Sequence, residues 1–224
     1  MFAAACSRIR PAIYGIIGSS QVGKNQVSCT SGTAFMIAPG ILVTAAHLAH
    51  VGCDPAKATH ALFEVIRAPD VGQHMEKARL LAQDPARDLA LLEIDHPRAA
   101  VCATLVGQPV AIGTNCGSLG FPLAKVGFTP AGKMFQLVER FQGASISAFY
   151  ASGPLSFYET DSLMYKGSSG CPGFLVNGQV FAMHIRSVME ETREGKPTET
   201  RLGISIWVPA LDIAGFAKNN GIQI

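Results

Sequence analysis

The chain has 224 residues, which is enough for one large domain or two small ones. Hydrophobic residues make up 48% of the sequence and charged residues only 15%, a balance that excludes intrinsic disorder and predicts a compact apolar core. The formal net charge is +2, and the Lys and Arg residues are scattered rather than gathered into the basic stripe that a phosphate backbone requires. We therefore expect no nucleic-acid partner.

Neither the N-terminal segment nor the most apolar window of the chain predicts export or membrane insertion. Residues 1–11 read MFAAACSRIRP and lack the apolar stretch of about 7–15 residues found in a secretory signal. The most apolar window, 35–51, is interrupted by Pro39-Gly40 and contains two histidines, so it does not predict a membrane span. The six cysteines form no C-x-x-C pair and are interpreted as buried thiols in a reducing compartment. We expect a cytoplasmic protein, with an exported mature form as the alternative.

Short β-rich runs follow one another along the chain, separated by turn residues. The predicted strands are AIYGIIG (12–18), GTAFMIA (32–38), ILVTAAH (41–47), ALFEVIRA (61–68), LALLEID (89–95), QPVAIGT (108–114), ASISAFY (144–150), PGFLVNGQVFAMHI (172–185) and GISIWVP (203–209). Only 210–219 shows the periodicity of a helix. Turn pairs such as Pro39-Gly40 and Asn177-Gly178 fall between the runs. A crossing near residue 105 divides the chain into similar halves, which is consistent with two packed β-barrels.

Two further patterns are weighed as ligand sites and set aside. Residues 18–25, GSSQVGKN, nearly spell a phosphate-binding loop, but its last position must supply a hydroxyl and is Asn25. The following QVSCT predicts a strand rather than a helix, so this segment is interpreted as a hairpin turn. Four histidines lack metal-ligand spacing with Asp, Glu or Cys and are predicted to face solvent: His50, His60, His74 and His96. We therefore expect no metal site and no cofactor.

Three segments carry residues of chemical interest, in a definite order. His47 ends a predicted strand in 32–50, Asp88 opens an apolar strand in 84–95, and Ser169 lies in the polar loop Gly-Ser-Ser-Gly-Cys-Pro of 167–172. A hydroxyl nucleophile needs a nearby base, and that base needs a buried acid to hold its tautomer. The order His, Asp, Ser fits this requirement and differs from the Ser, Asp, His order of α/β-hydrolases.

These segments resemble the T-A-A-H, D-[IL]-A-L-L and G-[DNS]-S-G-x-P signatures of the chymotrypsin-like (trypsin-like) serine proteases, over about Ile13 to Phe216. Thr160-Asp161 is similar to a pair found in the bacterial branch that includes glutamyl endopeptidases and high-temperature-requirement proteases. The resemblance implies an all-β fold of two packed six-stranded antiparallel β-barrels with a short C-terminal helix. Residues 1–105 would carry the His and Asp, and residues 106–224 the Ser, the primary specificity pocket and the helix.

The resemblance also implies a serine endopeptidase that works through an acyl-enzyme on a protein or peptide substrate. Ser169 would attack the scissile carbonyl, His47 would move the proton, and Asp88 would orient the imidazole. The backbone N–H groups of Gly167 and Ser169 would form the oxyanion hole. The alternative is a catalytically silent scaffold or binding module. A regulatory partner protein is also expected, although the sequence does not identify it.

The chain departs from the family pattern at three positions. Digestive members carry Asp immediately before the nucleophile to pair with a freshly cut N-terminus, whereas here that residue is Ser168. Activation by N-terminal cleavage is therefore not expected. Leu48 follows the predicted base where secreted relatives have a disulfide cysteine, and Cys171 replaces the usual Gly or Ser.

Family similarity places the primary specificity pocket around four residues. Leu163, six residues before the nucleophile, would form the floor, so the acid that recruits Arg or Lys is absent. His184 matches the histidine with which glutamyl endopeptidases contact the substrate carboxylate, and Lys166 and Ser187 would add a positive charge and a hydroxyl. The prediction is cleavage after Glu, and secondarily after Asp or Gln. The alternative is that His184 is a core residue and the pocket accepts small or medium apolar side chains.

Overall fold

The computed structural model describes residues 1–24, 26–70, 75–95, 101–129, 132–191 and 197–224. The first barrel consists of β1 (Ile13–Gly23), β2 (Gln26–Ala38), β3 (Ile41–Ala45), β4 (Leu62–Arg67), β5 (Glu76–Asp84) and β6 (Leu89–Glu93). These strands are antiparallel and close in the order β1-β2-β3-β6-β5-β4.

Eight strands follow: β7 (Asn115–Gly120), β8 (Lys125–Thr129), β9 (Gly132–Gln136), β10 (Arg140–Ser152), β11 (Leu155–Thr160), β12 (Pro172–Phe174), β13 (Val180–Glu191) and β14 (Pro197–Pro209). Six of them close into a second antiparallel barrel in the order β10-β11-β14-β13-β12-β7, and β8 pairs only with β9. The helices are α1 (Ala3–Ile9) and α2 (Ala210–Asn219). The predicted all-β fold of two six-stranded barrels with a short C-terminal helix is confirmed.

Burial along the strands shows where the barrels meet. β5 alternates between less and more exposed positions, as expected for a strand with one face on the core and one on solvent. β3 is buried at every position, as is the C-terminal part of β2. These two strands approach β13 and β7 of the second barrel, so their outer faces are covered by protein. The predicted base follows β3 and therefore lies at the junction of the barrels.

The predicted turns are confirmed where glycine adopts positive φ. Gly40 (φ 77°) connects β2 to β3, and Gly178 (φ 84°) connects β12 to β13. β1 and β2 pair as an antiparallel hairpin, which confirms that 18–25 does not form a strand-to-helix phosphate loop; Asn25 itself lies outside the described residues.

Other predictions of local structure were wrong. The segment 108–114 is not a strand but part of the connection between β6 and β7, the connection in which the predicted boundary near 105 falls. Helix α1 was not predicted. It has no side-chain N-cap and is held by packing, with Ala5 and Ile9 buried and the Phe2 ring 5.5 Å from that of Phe141.

His50 and His60 do not face solvent as predicted, since each is only 5% exposed. The His50 ring lies 2.9 Å from the Lys57 carbonyl, and the His60 ring lies 3.1 Å from Thr30 Oγ1. Both are structural residues of the first barrel. His74 and His96 lie outside the described residues.

No disulfide joins any of the six cysteines. The expectation that they are buried holds only for Cys116 and Cys171, whereas Cys53 is exposed. Burial raises the pKa of Cys116 to about 12, so its thiol stays protonated at neutral pH. In the described part of the chain, no helix is long and apolar enough to cross a membrane, and no group of three or more His, Cys, Asp or Glu residues could hold a metal ion.

Candidate active site

His47 and Asp88 are in direct contact. His47 lies in a short 3₁₀ turn, Ala46–Ala49, that follows β3 directly. Its ring atom Nδ1 is 2.7 Å from Asp88 Oδ2, and its backbone N–H donates to Asp88 Oδ1 at 2.8 Å. With Nδ1 donating to the carboxylate, Nε2 carries the lone pair, which is the tautomer that a general base requires.

The loop before β6 fixes the position of Asp88. Asp88 has a φ of 57°, in the left-handed region that Asp tolerates better than most residues. The turn that precedes it is organised by Asp84, which accepts hydrogen bonds from the backbone N–H groups of Ala86 and Arg87 and from the Arg87 guanidinium. Burial acts to raise the pKa of Asp84, but these hydrogen bonds outweigh it and the net pKa is lowered.

Glycine is required on both sides of Ser169 because the loop packs tightly. Gly167 (φ 91°) and Gly170 (φ 82°) both have positive φ. A Cβ on Gly167 would lie 2.5 Å from the Phe121 carbonyl oxygen, and a Cβ on Gly170 only 1.9 Å from the Thr33 carbonyl oxygen. Backbone geometry therefore requires both glycines of the sequence Gly-Ser-Ser-Gly.

The backbone amides of this loop divide into two sets. Those of Ser168, Gly170 and Cys171 donate to carbonyl groups at 2.8–3.0 Å. Among the described residues, those of Gly167 and Ser169 have no protein acceptor. These are the two donors predicted for an oxyanion hole.

Thr33, which sequence reasoning missed, ties the loop 167–172 around Ser169 to the first barrel. Its side chain is fully buried. Its N–H donates to the Ser169 carbonyl at 2.9 Å, its hydroxyl donates to the Gly167 carbonyl at 3.0 Å, and the same hydroxyl accepts the Phe121 N–H at 3.0 Å. A further hydrogen bond from the Thr44 hydroxyl holds the Thr33 carbonyl. The only sequence signal was a polar residue within the apolar run 32–38.

His47, Asp88 and Ser169 line one cleft of about 360 Å³, and this cleft also receives three of the predicted pocket residues: Lys166, His184 and Ser187. Ser169 is half-buried, and in the described structure its hydroxyl makes no hydrogen bond to His47. The predicted floor residue, Leu163, is not part of this cleft lining. Its side chain is 40% exposed, and its carbonyl accepts a hydrogen bond from Gln142.

His184 is the most unusual group in the cleft. It is only 2% exposed, and its ring packs edge-on to Trp207 with centroids 5.0 Å apart. Backbone groups of Ser168 and Arg186 approach the ring, yet neither ring nitrogen has a hydrogen-bond partner in the described structure. Burial lowers the pKa of His184 to about 3, so the ring is neutral at physiological pH.

The remaining motif residues serve the framework of the second barrel. Thr160 accepts a hydrogen bond from the Trp207 indole at 2.9 Å, and Asp161 accepts the Ser145 N–H at 2.6 Å. Cys171 is 1% exposed and packs in the core of the second barrel, and burial raises the pKa of its thiol. A small apolar side chain is what this core position requires.

Two closed antiparallel barrels with this His, Asp and Ser on one cleft are the architecture of a chymotrypsin-like serine protease. The chain belongs to the family described as the trypsin-like peptidase domain, whose model matches residues 32–183. Its backbone is similar to the active form of the Rv3671c protease from M. tuberculosis, with a TM-score of 0.68 and 19% identity over 98% of this chain and 85% of that one.

The inactive form of the Rv3671c protease is similar to the same degree, with a TM-score of 0.68 and 20% identity over 97% of this chain and 93% of that one. At these identities the two likenesses concern the fold. No curated protein matches the chain in sequence. The predicted similarity to the glutamyl endopeptidase and high-temperature-requirement branch therefore stays a prediction.

Proposed function

We propose that this serine protease is an endopeptidase in which Ser169 is the nucleophile, His47 the general base and Asp88 the residue that orients the base. The observation that carries the proposal is the His47–Asp88 contact at 2.7 Å on the cleft that also contains Ser169. Ser169 attacks the scissile carbonyl and passes its proton to His47 Nε2. The tetrahedral adduct then expels the amine, which takes that proton, and water hydrolyses the acyl-enzyme by the same route.

The unengaged amides of Gly167 and Ser169 support the second part of the proposal, an oxyanion hole. Donors that have no partner in the resting protein are available to the oxygen that becomes negative in the transition state. Each donor of this kind contributes a factor of about 10²–10³ to the rate.

We further propose that the cleft prefers Glu at the cleaved position, followed by Asp or Gln. A buried neutral imidazole with no partner can donate one N–H to a carboxylate or amide oxygen, and Lys166 supplies positive charge in the same cleft. The Ser187 hydroxyl donates to the Met164 carbonyl at 3.2 Å, so its oxygen is left as an acceptor, which suits a Gln amide better than a carboxylate.

A peptide library profiled by mass spectrometry tests this preference. We expect dominant cleavage after Glu, with the preference weakened in His184→Gln. Dominant cleavage after Leu, Val or Ala that is unchanged in that variant would remove the specificity proposal and leave the catalytic one intact.

A catalytically silent scaffold is the second candidate, because the Ser169 hydroxyl is not hydrogen-bonded to His47 in the described structure. Such contacts are often long in unliganded proteases and tighten when substrate binds. Labelling with a fluorophosphonate distinguishes the two candidates. An active protease is labelled at Ser169 and the Ser169→Ala variant is not, whereas a scaffold shows no difference between them.

We propose that activity needs neither N-terminal cleavage nor a disulfide. Ser168 is 1% exposed and has a hydroxyl in place of a carboxylate, so it offers no ion-pair partner for a newly cut terminus. Protein beginning at Met1 should react with the fluorophosphonate in dithiothreitol. Labelling that begins only after N-terminal trimming would contradict this.

A further inference from the structure

Three cationic side chains line the same cleft as Ser169: Lys166, Arg186 and Arg201. Asp88 is the one acidic residue among the described residues of the lining, and both of its carboxylate oxygens interact with His47. The cleft therefore carries an excess of positive charge, although the whole chain has a formal net charge of only +2.

The pairing of these three cations differs from that of several arginines elsewhere in the protein. Within the described residues, none of the three makes an ion pair or a side-chain hydrogen bond. Arg201 lies over the Tyr165 ring at 5.8 Å from its centroid, a contact that holds the guanidinium at the cleft without neutralising it. By contrast, other arginines are paired with carboxylates: Arg10 with Glu139, Arg79 with Glu93 and Arg87 with Asp84.

The charges are spread along the cleft rather than gathered at one point. Lys166 lies three residues before Ser169, whereas Arg186 is on β13 and Arg201 on β14. In the pairing of these strands, Arg201 lies opposite Met189, which is three residues from Arg186 along β13. Three residues of strand span roughly 10 Å, a length that an extended peptide covers in about three residues.

We propose that Arg186 and Arg201 form an anion subsite that binds acidic side chains flanking the cleaved residue, so that the substrates are acidic polypeptide segments. The proposal rests on the endopeptidase function proposed above, because it names the occupant of the same cleft. Each solvent-exposed ion pair contributes modestly to affinity. The field of the whole cleft also steers an acidic chain toward it, and this steering weakens as salt shortens the Debye length.

Peptide binding to the Ser169→Ala variant tests the subsite without requiring turnover. Labelled peptides share one cleaved residue, taken from the library profile or set to Glu, and carry Glu, Gln or Lys on both sides. By fluorescence anisotropy we expect Glu flanks to bind tighter than Gln flanks by about twofold to fivefold for each arginine engaged. The advantage should shrink between about 0.05 M and 0.5 M salt. Arg186→Gln should reduce it, and Arg201→Glu should shift the preference toward Lys flanks.

Arg79→Gln is the matched control, since it removes a positive charge from the first barrel outside the cleft lining and should leave the flank preference unchanged. Equal dissociation constants for Glu and Gln flanks at low salt would overturn the subsite, as would an equal loss of preference in the control. If Arg201→Glu does not fold, the subsite is tested by Arg186→Gln and by the salt dependence of peptide binding to the Ser169→Ala variant itself. Tight, charge-dependent binding by a protein that is never labelled by fluorophosphonate would retain the subsite and refute the endopeptidase.

Discussion

The two barrels differ in whether the groups that they contribute to the site are already hydrogen-bonded. The first barrel supplies His47 and Asp88, which already contact each other through two hydrogen bonds. The second barrel supplies groups that lack protein partners in the described structure: the amides of Gly167 and Ser169 and the ring of His184. This difference suits the proposed mechanism, in which groups that transfer protons are oriented before substrate arrives and groups that bind substrate or developing charge are left without partners for it.

The largest expected effects on kcat come from replacing Ser169 of the second barrel, or His47 or Asp88 of the first. Ser169→Ala and His47→Ala should each lower kcat by roughly 10⁴–10⁶-fold, because residues of a triad act as a unit. Asp88→Asn should lower kcat by roughly 10⁴-fold, because the base would be held in the wrong tautomer. Turnover of the best library peptide measures these losses, and circular dichroism checks that each variant folds. Near-normal turnover in Ser169→Ala would show that the nucleophile lies elsewhere.

The next largest effect is a loss of stability at Gly170, where the two barrels meet. Gly170→Ala places a methyl group against the Thr33 carbonyl oxygen at positive φ, and should lower the free energy of unfolding by at least about 2 kcal/mol. Gly215→Ala in α2 is the matched control, because nothing lies within 4 Å of the added Cβ. There the same change should be neutral or stabilising by up to about 1 kcal/mol. Urea denaturation of both variants measures the difference, and equal losses would contradict the tight contact.

Sequence patterns indicated the residues that meet on the cleft more readily than the residues that surround them. The order of His47, Asp88 and Ser169, with the glycines around the serine, was readable because chemistry and backbone geometry both restrict those positions. Thr33 was not readable, since a threonine in a strand looks the same whether it faces solvent or holds another barrel. Arg201 was missed for a related reason: its place on the cleft depends on the register between β13 and β14.

Local structure was predicted where turns and periodicity were strong and missed where packing decides. The Pro39-Gly40 turn and helix α2 follow from such local signals. Helix α1 has only seven residues and no capping side chain, so its stability comes from contacts that no local pattern encodes.

A smaller effect concerns His184 in the second barrel, whose titration makes the free energy of unfolding depend on pH. Burial lowers its pKa in the folded protein to about 3, below the value of about 6.5 expected when unfolded. Between these pH values only the unfolded chain takes up the proton, so stability is retained above about pH 6.5 and falls as the pH decreases. The slope is at most about 1.4 kcal/mol per pH unit for this residue.

Urea titrations between pH 7 and 4.5 should therefore show a shallower decline for His184→Gln than for the wild type. Burial also lowers the pKa of His60, but this residue is present in both proteins and its contribution cancels. Identical slopes would mean that the His184 ring takes up its proton as readily in the folded protein as in the unfolded chain, and the account of a buried ring that stays neutral in acid would then be wrong.

The smallest effect concerns the turn that positions Asp88. Asp84→Ala removes an acceptor for two backbone N–H groups and for Arg87, and should lower the free energy of unfolding by about 1 kcal/mol. It should also lower kcat severalfold with little change in KM, because Asp88 would orient His47 less well while the residues proposed to bind substrate are unchanged. The chain contains its own control in Asp54, since 54–57 (DPAK) closely matches 84–87 (DPAR) and Asp54 likewise accepts the N–H of Ala56. Asp54→Ala should bring a similar or smaller loss of stability with kcat unchanged. If both variants lost stability equally and neither lost activity, the Asp84 turn would support the fold of the first barrel without positioning Asp88.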